Sequence, residues 1–228
     1  MTRRSLLIDF DDTIVDFKNA EAYAFYKLAE HYQLEVNNDE LQTFMVVNEA
    51  HWNAFQKNEL TKAEVLSQRF EVYFESHQMT INGEVADRIF RNELANAPIK
   101  FFEKTKETLA QLKEQHDLYI VTNGVLETQE RRIAKTEIEQ WFKEVFVSEQ
   151  TGYQKPMPEF FDFVFNVIGE DKRENAIIIG DSLSSDILGG KNAGIKTCWF
   201  NPRKKINESN IVPDHTINSL EQILALIK

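Results

Sequence analysis

Cysteine is all but missing from this chain of 228 residues: Cys198 stands alone, so no intramolecular disulfide can form. A CxxC zinc site and an iron–sulfur cluster are excluded for the same reason, and a reducing cytoplasm is the compartment we expect. Long apolar runs are missing too. The longest span about five residues, as in Ala22–Tyr26, far short of a membrane-spanning segment. The basic start is followed only by Leu6-Leu7-Ile8 before Asp9, so no signal peptide is expected. Basic residues are outnumbered, 26 against 37 acidic, for a net charge of −11. Nucleic acids and membrane surfaces demand clustered Lys and Arg, so a polymeric nucleic acid or a membrane is not an expected partner, whereas a small anionic substrate stays possible. Neither a P-loop nor a Gly-x-Gly-x-x-Gly string occurs, which leaves kinases and dinucleotide enzymes without support.

Glycine and proline are scarce in one region in particular. Gly83 is the one glycine before Gly124, and the first proline is Pro98. A stretch with so little punctuation cannot make many tight turns, which favours helices over residues 16–97. The apolar spacing agrees: Ala22, Phe25, Tyr26 and Ala29 share a helical face, as do Leu41, Met45, Trp52 and Phe55, and then Leu66, Phe70 and Tyr73. Thr61-Lys-Ala-Glu64 reads as a capping box.

What is present elsewhere is an alternation of short apolar strands and amphipathic helices. Strands are predicted at 5–10, 118–122, 145–148, 176–180 and 197–200, and helices at 104–115, 126–136, 158–168, 183–193 and 220–227. Runs such as Ala176-Ile-Ile-Ile179 lack polar alternation, the mark of a parallel sheet covered on both faces. The predicted fold is therefore α/β, a doubly wound parallel sheet formed by 1–15 and 98–228, with an all-helical insert at 16–97. With 42% apolar and 28% charged residues, the composition is that of a globular protein.

In such sheets ligands bind at the carboxyl ends of the strands. The first strand ends in Asp9-Phe-Asp11-Asp12-Thr13, the second in Thr122-Asn123-Gly124, the third leads to Lys155-Pro156, and the fourth ends in Gly180-Asp181 with Asp186 beyond. Asp9 and Asp11 lie two apart, on one side of an extended backbone. Carboxylates gathered at one rim repel, and adding Asp181 makes the group untenable without a cation. An oxygen-only donor set suits Mg²⁺. Thr122 to Gly124 supplies a hydroxyl and free amides for an anion, and Lys155 supplies further positive charge.

These motifs, in this order and spacing, resemble those of the haloacid-dehalogenase-like (HAD) phosphohydrolases, whose core is a Rossmann-like sheet and whose helical C1 cap is inserted where residues 16–97 lie. Val47-Asn48, Trp52, Arg69-Phe70 and the run from Ser185 to Trp199 are similar to the noncanonical pyrimidine nucleotidase branch. The resemblance implies Asp9 as nucleophile, forming an aspartyl-phosphate, and Asp11 as general acid and then general base. It implies Mg²⁺ held by the Asp9 carboxylate, the Asp11 backbone carbonyl and Asp181 with Asp186 in support, and phosphate held by Thr122, the Asn123 amide and Lys155. The implied substrates are nucleoside 5′-monophosphates such as UMP, dUMP and dTMP, hydrolysed by a cytoplasmic monomer or weak homodimer. Phe17 and Trp52 could stack on a base, and Arg69 could either reach the substrate or sit as a surface cation.

Asp11 argues against a dehalogenase, which protonates no alkoxide, and Phe10 with Asp12-Thr13 departs from the P-type ATPase signature. Nothing marks Lys57 or Lys62 as the Schiff-base lysine of a phosphonate hydrolase. Gly180-Asp-Ser-Leu183 spells the signature of a serine esterase, but no Asp-x-x-His follows to complete a triad, since His215 comes directly after Asp214. A sugar-phosphate phosphatase or phosphoglucomutase on the same core is the alternative enzyme, and a non-catalytic binding protein the remoter one. The insert carries seven basic and fourteen acidic residues, so phosphate binding would have to rest on local positive groups rather than on long-range attraction.

Overall fold

A computed structural model describes residues 3–227; Met1, Thr2 and Lys228 lie outside the described residues. The chain divides into two compact units, a helical one of Lys18–Pro98 and a second formed by the segments before and after it.

The larger unit is built on a fully parallel sheet. Its strands are β1 (Ser5–Ile8), β2 (Asp117–Thr122), β3 (Glu144–Val147), β4 (Ala176–Gly180), β5 (Lys196–Phe200) and β6 (His215–Ile217), in the spatial order β3-β2-β1-β4-β5-β6. Central β1 pairs with β2 on one side and β4 on the other, so Leu7 lies between Tyr119 and Ile178. Both faces are buried, and the two-residue period divides the apolar residues between them. Leu6, Ile8, Ile120 and Ile179 face one core, while Leu7, Tyr119, Val121 and Ile178 face the other.

Helices cover each face. In the order of the chain the helices are α1 (Phe17–His31), α2 (Asn38–Gln56), α3 (Lys62–Glu75) and α4 (Gly83–Asn96), which make up the helical unit from Lys18 on, then α5 (Thr105–Gln115), α6 (Leu126–Ala134), α7 (Ser148–Thr151), α8 (Pro158–Ile168), α9 (Leu188–Asn192) and α10 (Ile223–Leu226) of the larger unit. Leu109 and Leu112 of α5 and Ile133 of α6 pack on the first face, and Phe160, Phe161, Val164 and Phe165 of α8 on the second. No helix among the described residues is long and apolar enough to cross a membrane.

Four differences from the sequence reading stand out. The first strand ends at Ile8 rather than Phe10, although the Asp9 amide still donates to Ile179 O at 2.9 Å. The sheet gains β6, whose three residues are too few for a period to show. The segment from Leu183 opens as a π-helical turn, Leu183–Ile187, before α9. The C-terminal helix shortens to a 3₁₀ turn at Leu220–Gln222 and α10.

In the helical unit Phe25, Ala29, Leu41, Phe55, Phe70 and Tyr73 of the predicted stripes are buried, whereas Tyr26 is exposed and Ala22, Met45, Trp52 and Leu66 are only partly buried. The core centres on Phe44, outside those stripes, with Phe25 stacked on it at 5.0 Å and Phe70 at 5.7 Å. Helix starts are capped by Asn37, Thr61 and Asn82. At Thr61 the box is reciprocal, with the Glu64 amide donating to Oγ1 at 3.3 Å and the Thr61 amide to Glu64 Oε2 at 2.7 Å. A buried ion pair crosses this core, Arg69 Nη2 to Asp87 Oδ1 at 2.6 Å, and Asp87 also accepts from Arg91 Nε. Asp87→Ala would leave the Arg69 charge buried without its counter-ion, at a cost of about 3–5 kcal/mol. Urea denaturation should register that loss for Asp87→Ala, and a loss below about 1 kcal/mol would show that the pair contributes little to this core.

Candidate active site

The parallel register brings the carboxyl ends of β1, β2 and β4 side by side. Asp9 follows β1 directly and its carboxylate is buried. Lys155 Nζ donates to Asp9 Oδ1 at 2.7 Å, to Asp186 Oδ1 at 2.7 Å and to Val121 O at 2.8 Å. One ammonium thus ties together the ends of β1 and β2 and the turn after β4, using all three of its donors. Thr13 Oγ1 donates to the other Asp9 oxygen at 3.3 Å.

Asn123 holds this lysine from its backbone. Its Oδ1 accepts from the Lys155 amide at 2.9 Å and its Nδ2 donates to Lys155 O at 2.8 Å. The Asn123 side chain is therefore a clamp on the loop that carries Lys155. Thr122 Oγ1 accepts two hydrogen bonds, from Gln129 Nε2 at 2.8 Å and from the Gly124 amide at 3.1 Å. Both lone pairs are thereby used, and the hydroxyl proton is left for an incoming oxygen.

Glycine makes room at two points. A Cβ on Gly180 would lie 2.2 Å from the Asp186 carboxyl, so only a glycine at the end of β4 lets that carboxylate fold back against it. The Ser182 amide then donates to Asp186 Oδ2 at 3.1 Å. A Cβ on Gly124 would lie 2.6 Å from Gln129 Cδ, so the glycine also fixes where the Gln129 side chain can go.

Asp9, Asp181 and Asp186 form a cluster in which one ligand oxygen from each lies within 4.8 Å of the others. Burial pushes the Asp9 carboxyl up from 3.8 to about 8, against the pull of Lys155. Burial, and then the carboxylates of Asp12, Asp9 and Asp186, raise Asp181 well above the usual carboxylate range. Burial alone would lower the Lys155 ammonium, but Asp186 and Asp9 more than offset it and raise it. Three carboxylates against one ammonium leave negative charge uncompensated. An oxygen-only set of this kind fits a hard divalent cation such as Mg²⁺.

Of the four aspartates predicted for the site, Asp11 is the one outside this cluster. Its Oδ2 accepts from Gln129 Nε2 at 2.8 Å and its Oδ1 from Arg132 Nη1, both on α6. Sequence reading missed this pair, although Gln129 and Arg132 are three apart and so lie on one face of the helix that follows Thr122-Asn-Gly. Asp12 is the turn residue of the segment. At a φ of +57° it accepts from the Phe17 amide at 3.1 Å and from Arg203 Nη2 at 3.0 Å.

The three remaining candidates are placed differently. The Phe17 ring lies 5.3 Å from the Arg132 guanidinium, so one of its faces is already occupied. Trp52, half-buried, meets Phe55 edge-on at 5.9 Å. Arg69 is not a surface cation: it is buried inside the helical unit on Asp87 and Asn48. To meet a substrate it would have to give up that ion pair, so its expected availability is corrected here.

Residues 6–200 match the family model for the haloacid dehalogenase-like hydrolases. The chain belongs to that family. It is 38% identical over 224 residues to the HAD-hydrolase YfnB of Bacillus subtilis, covering 98% of this chain and 95% of the relative. It is 30% identical to the pyrimidine 5′-nucleotidase PynA of Streptococcus pneumoniae, covering 98% of this chain and 94% of the relative. It is 26% identical to the pyrimidine 5′-nucleotidase YjjG of Escherichia coli, covering 97% and 96%. A magnesium-bound crystal structure of YfnB aligns over the whole of both chains with a TM-score of 0.94.

Two predictions follow from the charge balance of the site. Lys155→Met in this HAD-like hydrolase should cost about 3–5 kcal/mol in a denaturant titration. The cost should be larger at pH 8 than at pH 5, where the orphaned carboxylates can neutralise themselves with protons. Asp9 is a carboxyl whose folded-state pKa lies above its unfolded value, so the metal-free protein loses stability as pH rises from 3.8 to about 8. A cation that favours the charged form removes that loss and expels protons on binding. Magnesium at a hundredfold excess over Kd should stabilise the fold by about 2.7 kcal/mol. At a fixed Mg²⁺ concentration, the rise in Tm should be greater at pH 8 than at pH 6; an equal or smaller rise at pH 8 would contradict this account of the cluster.

Proposed function

We propose that this chain is a Mg²⁺-dependent phosphomonoester hydrolase acting on nucleoside 5′-monophosphates, with pyrimidine nucleotides such as UMP, dUMP and dTMP preferred. The observation that carries the reading is the Asp9 carboxylate, fixed by Lys155 at the sheet's carboxyl edge beside Asp181 and Asp186. Full-length similarity to two pyrimidine 5′-nucleotidases supports the substrate class.

Asp9 attacks the phosphorus of the monoester. A bond forms from its carboxylate oxygen, the ester bond to the leaving alkoxide breaks, and an aspartyl-phosphate results. Asp11 gives its proton to the departing alkoxide, then takes one from the water that hydrolyses the intermediate and frees Asp9. The Thr122 hydroxyl, the Asn123 amide and the Lys155 ammonium hold phosphoryl oxygens. Asp9, the Asp11 backbone carbonyl and Asp181, with Asp186 in support, are the residues to hold Mg²⁺. When bound, Mg²⁺ supplies positive charge against the phosphoryl oxygens.

The insert at 16–97 is read as the C1 cap, with Trp52 of the helical unit and Phe17, just before that unit, as the aromatic candidates for a base, while Arg69 is held on Asp87. The enzyme works on a small soluble phosphate ester in the cytoplasm, as a monomer or weak homodimer. A phosphate-release panel with Mg²⁺ across nucleoside monophosphates and sugar phosphates tests the substrate class, with UMP, dUMP and dTMP expected at the top. Phosphosugars turned over as well as these nucleotides would overturn it. Asp9→Asn should remain folded and lose at least a thousandfold in kcat; activity within tenfold of the parent protein would remove Asp9 as nucleophile.

A further inference from the structure

We infer that Gln129 and Arg132 of α6 are positioning residues that fix the Asp11 carboxylate for proton transfer to the leaving group. The inference rests on the proposed role of Asp11 as general acid and base. It adds to that role two residues outside the motifs that identify the site.

The geometry is that of a two-pronged hold. Gln129 Nε2 donates to one Asp11 oxygen at 2.8 Å, and Arg132 Nη1 donates to the other. The two holders are joined to each other, Arg132 Nη1 donating to Gln129 Oε1 at 3.1 Å. Gln129 is also tied to Thr122, so the group that orients Asp11 and the hydroxyl proposed to bind phosphate share one amide. Gly124 makes room for this arrangement, since the Gln129 side chain fills the space a Cβ there would need. The Arg132 guanidinium is held between two rings, 5.2 Å from that of Phe10 and 5.3 Å from that of Phe17.

Stability alone does not account for this arginine. Its side chain is 1% exposed, while its ion-pair partner Asp11 is 26% exposed. Its Nε is buried without a hydrogen-bond partner. A buried guanidinium with an orphaned donor, set against a carboxylate that water reaches, costs desolvation that an apolar residue in its place would not. What the arrangement does accomplish is to remove the rotational freedom of Asp11, whose side chain would otherwise sample several rotamers at the rim. Proton transfer demands a heavy-atom distance of about 2.6–3.2 Å, so that freedom would reduce the fraction of encounters that succeed.

The leaving group makes the test specific. A nucleoside alkoxide needs a proton as it departs, whereas p-nitrophenolate leaves unaided. Arg132→Lys, which keeps the charge but loses the fork, and Gln129→Met, which keeps the volume, should each lower kcat/KM for UMP by 10- to 100-fold. Each should lower kcat/KM for p-nitrophenyl phosphate, which reports only the steps up to departure of the leaving group, less than threefold, while kcat, which includes the Asp11-assisted hydrolysis of the shared aspartyl-phosphate, falls for both esters. The Mg²⁺-induced rise in Tm, measured without substrate, should be unchanged in both variants. The conservative Arg132→Lys should retain more UMP turnover than Arg132→Met. Equal losses of kcat/KM on both substrates, losses confined to KM, or a diminished Mg²⁺ shift would each overturn the positioning role while leaving the phosphatase reading intact. If the parent protein itself released no phosphate from either ester, the phosphatase reading would fail and this inference with it.

Discussion

The Lys155 ammonium is the point on which the site depends. It donates to a carboxylate after β1, a carbonyl at the end of β2 and a carboxylate in the turn after β4, three segments that would otherwise repel or drift apart. Buried cations are tolerated when each donor is satisfied and counter-charge is adjacent, and both conditions hold here. The same ammonium also sets the limit of what the protein can neutralise. One positive charge among Asp9, Asp181 and Asp186 leaves a deficit, and an oxygen-only set with such a deficit fits a hard divalent cation better than a closed salt-bridge network.

The scaffold around this lysine follows from strand order. With β1 in the middle and β2 and β4 on either side, the chain reverses its winding at β1, and the strand ends there open outward at one edge. Two-residue periodicity buries both faces of the sheet and leaves the carboxyl ends as the place where polar side chains accumulate without disrupting the core. The glycines after β2 and β4 then decide how closely those side chains can approach, Gly124 for Gln129 and Gly180 for Asp186. Neither carries a positive φ. Their service is the space of a missing Cβ.

In the helical unit, charge serves the core instead. Arg69 and Asp87 satisfy each other inside an aromatic cluster, and Arg91 shares the carboxylate. The excess of acidic residues over residues 16–97 lies mostly on exposed faces, where it favours solubility and does not recruit phosphate.

The division between what could be read from the chain and what could not is physical. Periodicity and punctuation were sufficient for the parallel sheet and the helical insert, because burial on two faces and the lack of glycine and proline act residue by residue along the sequence. Asp9, Thr122 and Asp181 were legible because each stands at the end of a strand, and Asp11, Lys155 and Asp186 because they follow those ends at a motif's spacing, so that position and chemical type together suggest a role. Strand β6 was not legible, since three residues cannot display a period, and neither was the π-turn at Leu183–Ile187, which tertiary packing imposes. Phe17 and Arg69 were visible as residue types, but their partners were not. Arg132 against Phe17 and Asp87 against Arg69 are contacts between distant parts of the chain, and a long side chain's direction is decided by whichever neighbour the fold brings to it. The sequence by itself determined which chemical groups stand at the strand ends. Only the tertiary structure decided which of them meet, because hydrogen bonds and ion pairs depend on distances of a few ångströms that no linear spacing beyond a single helix or strand can specify.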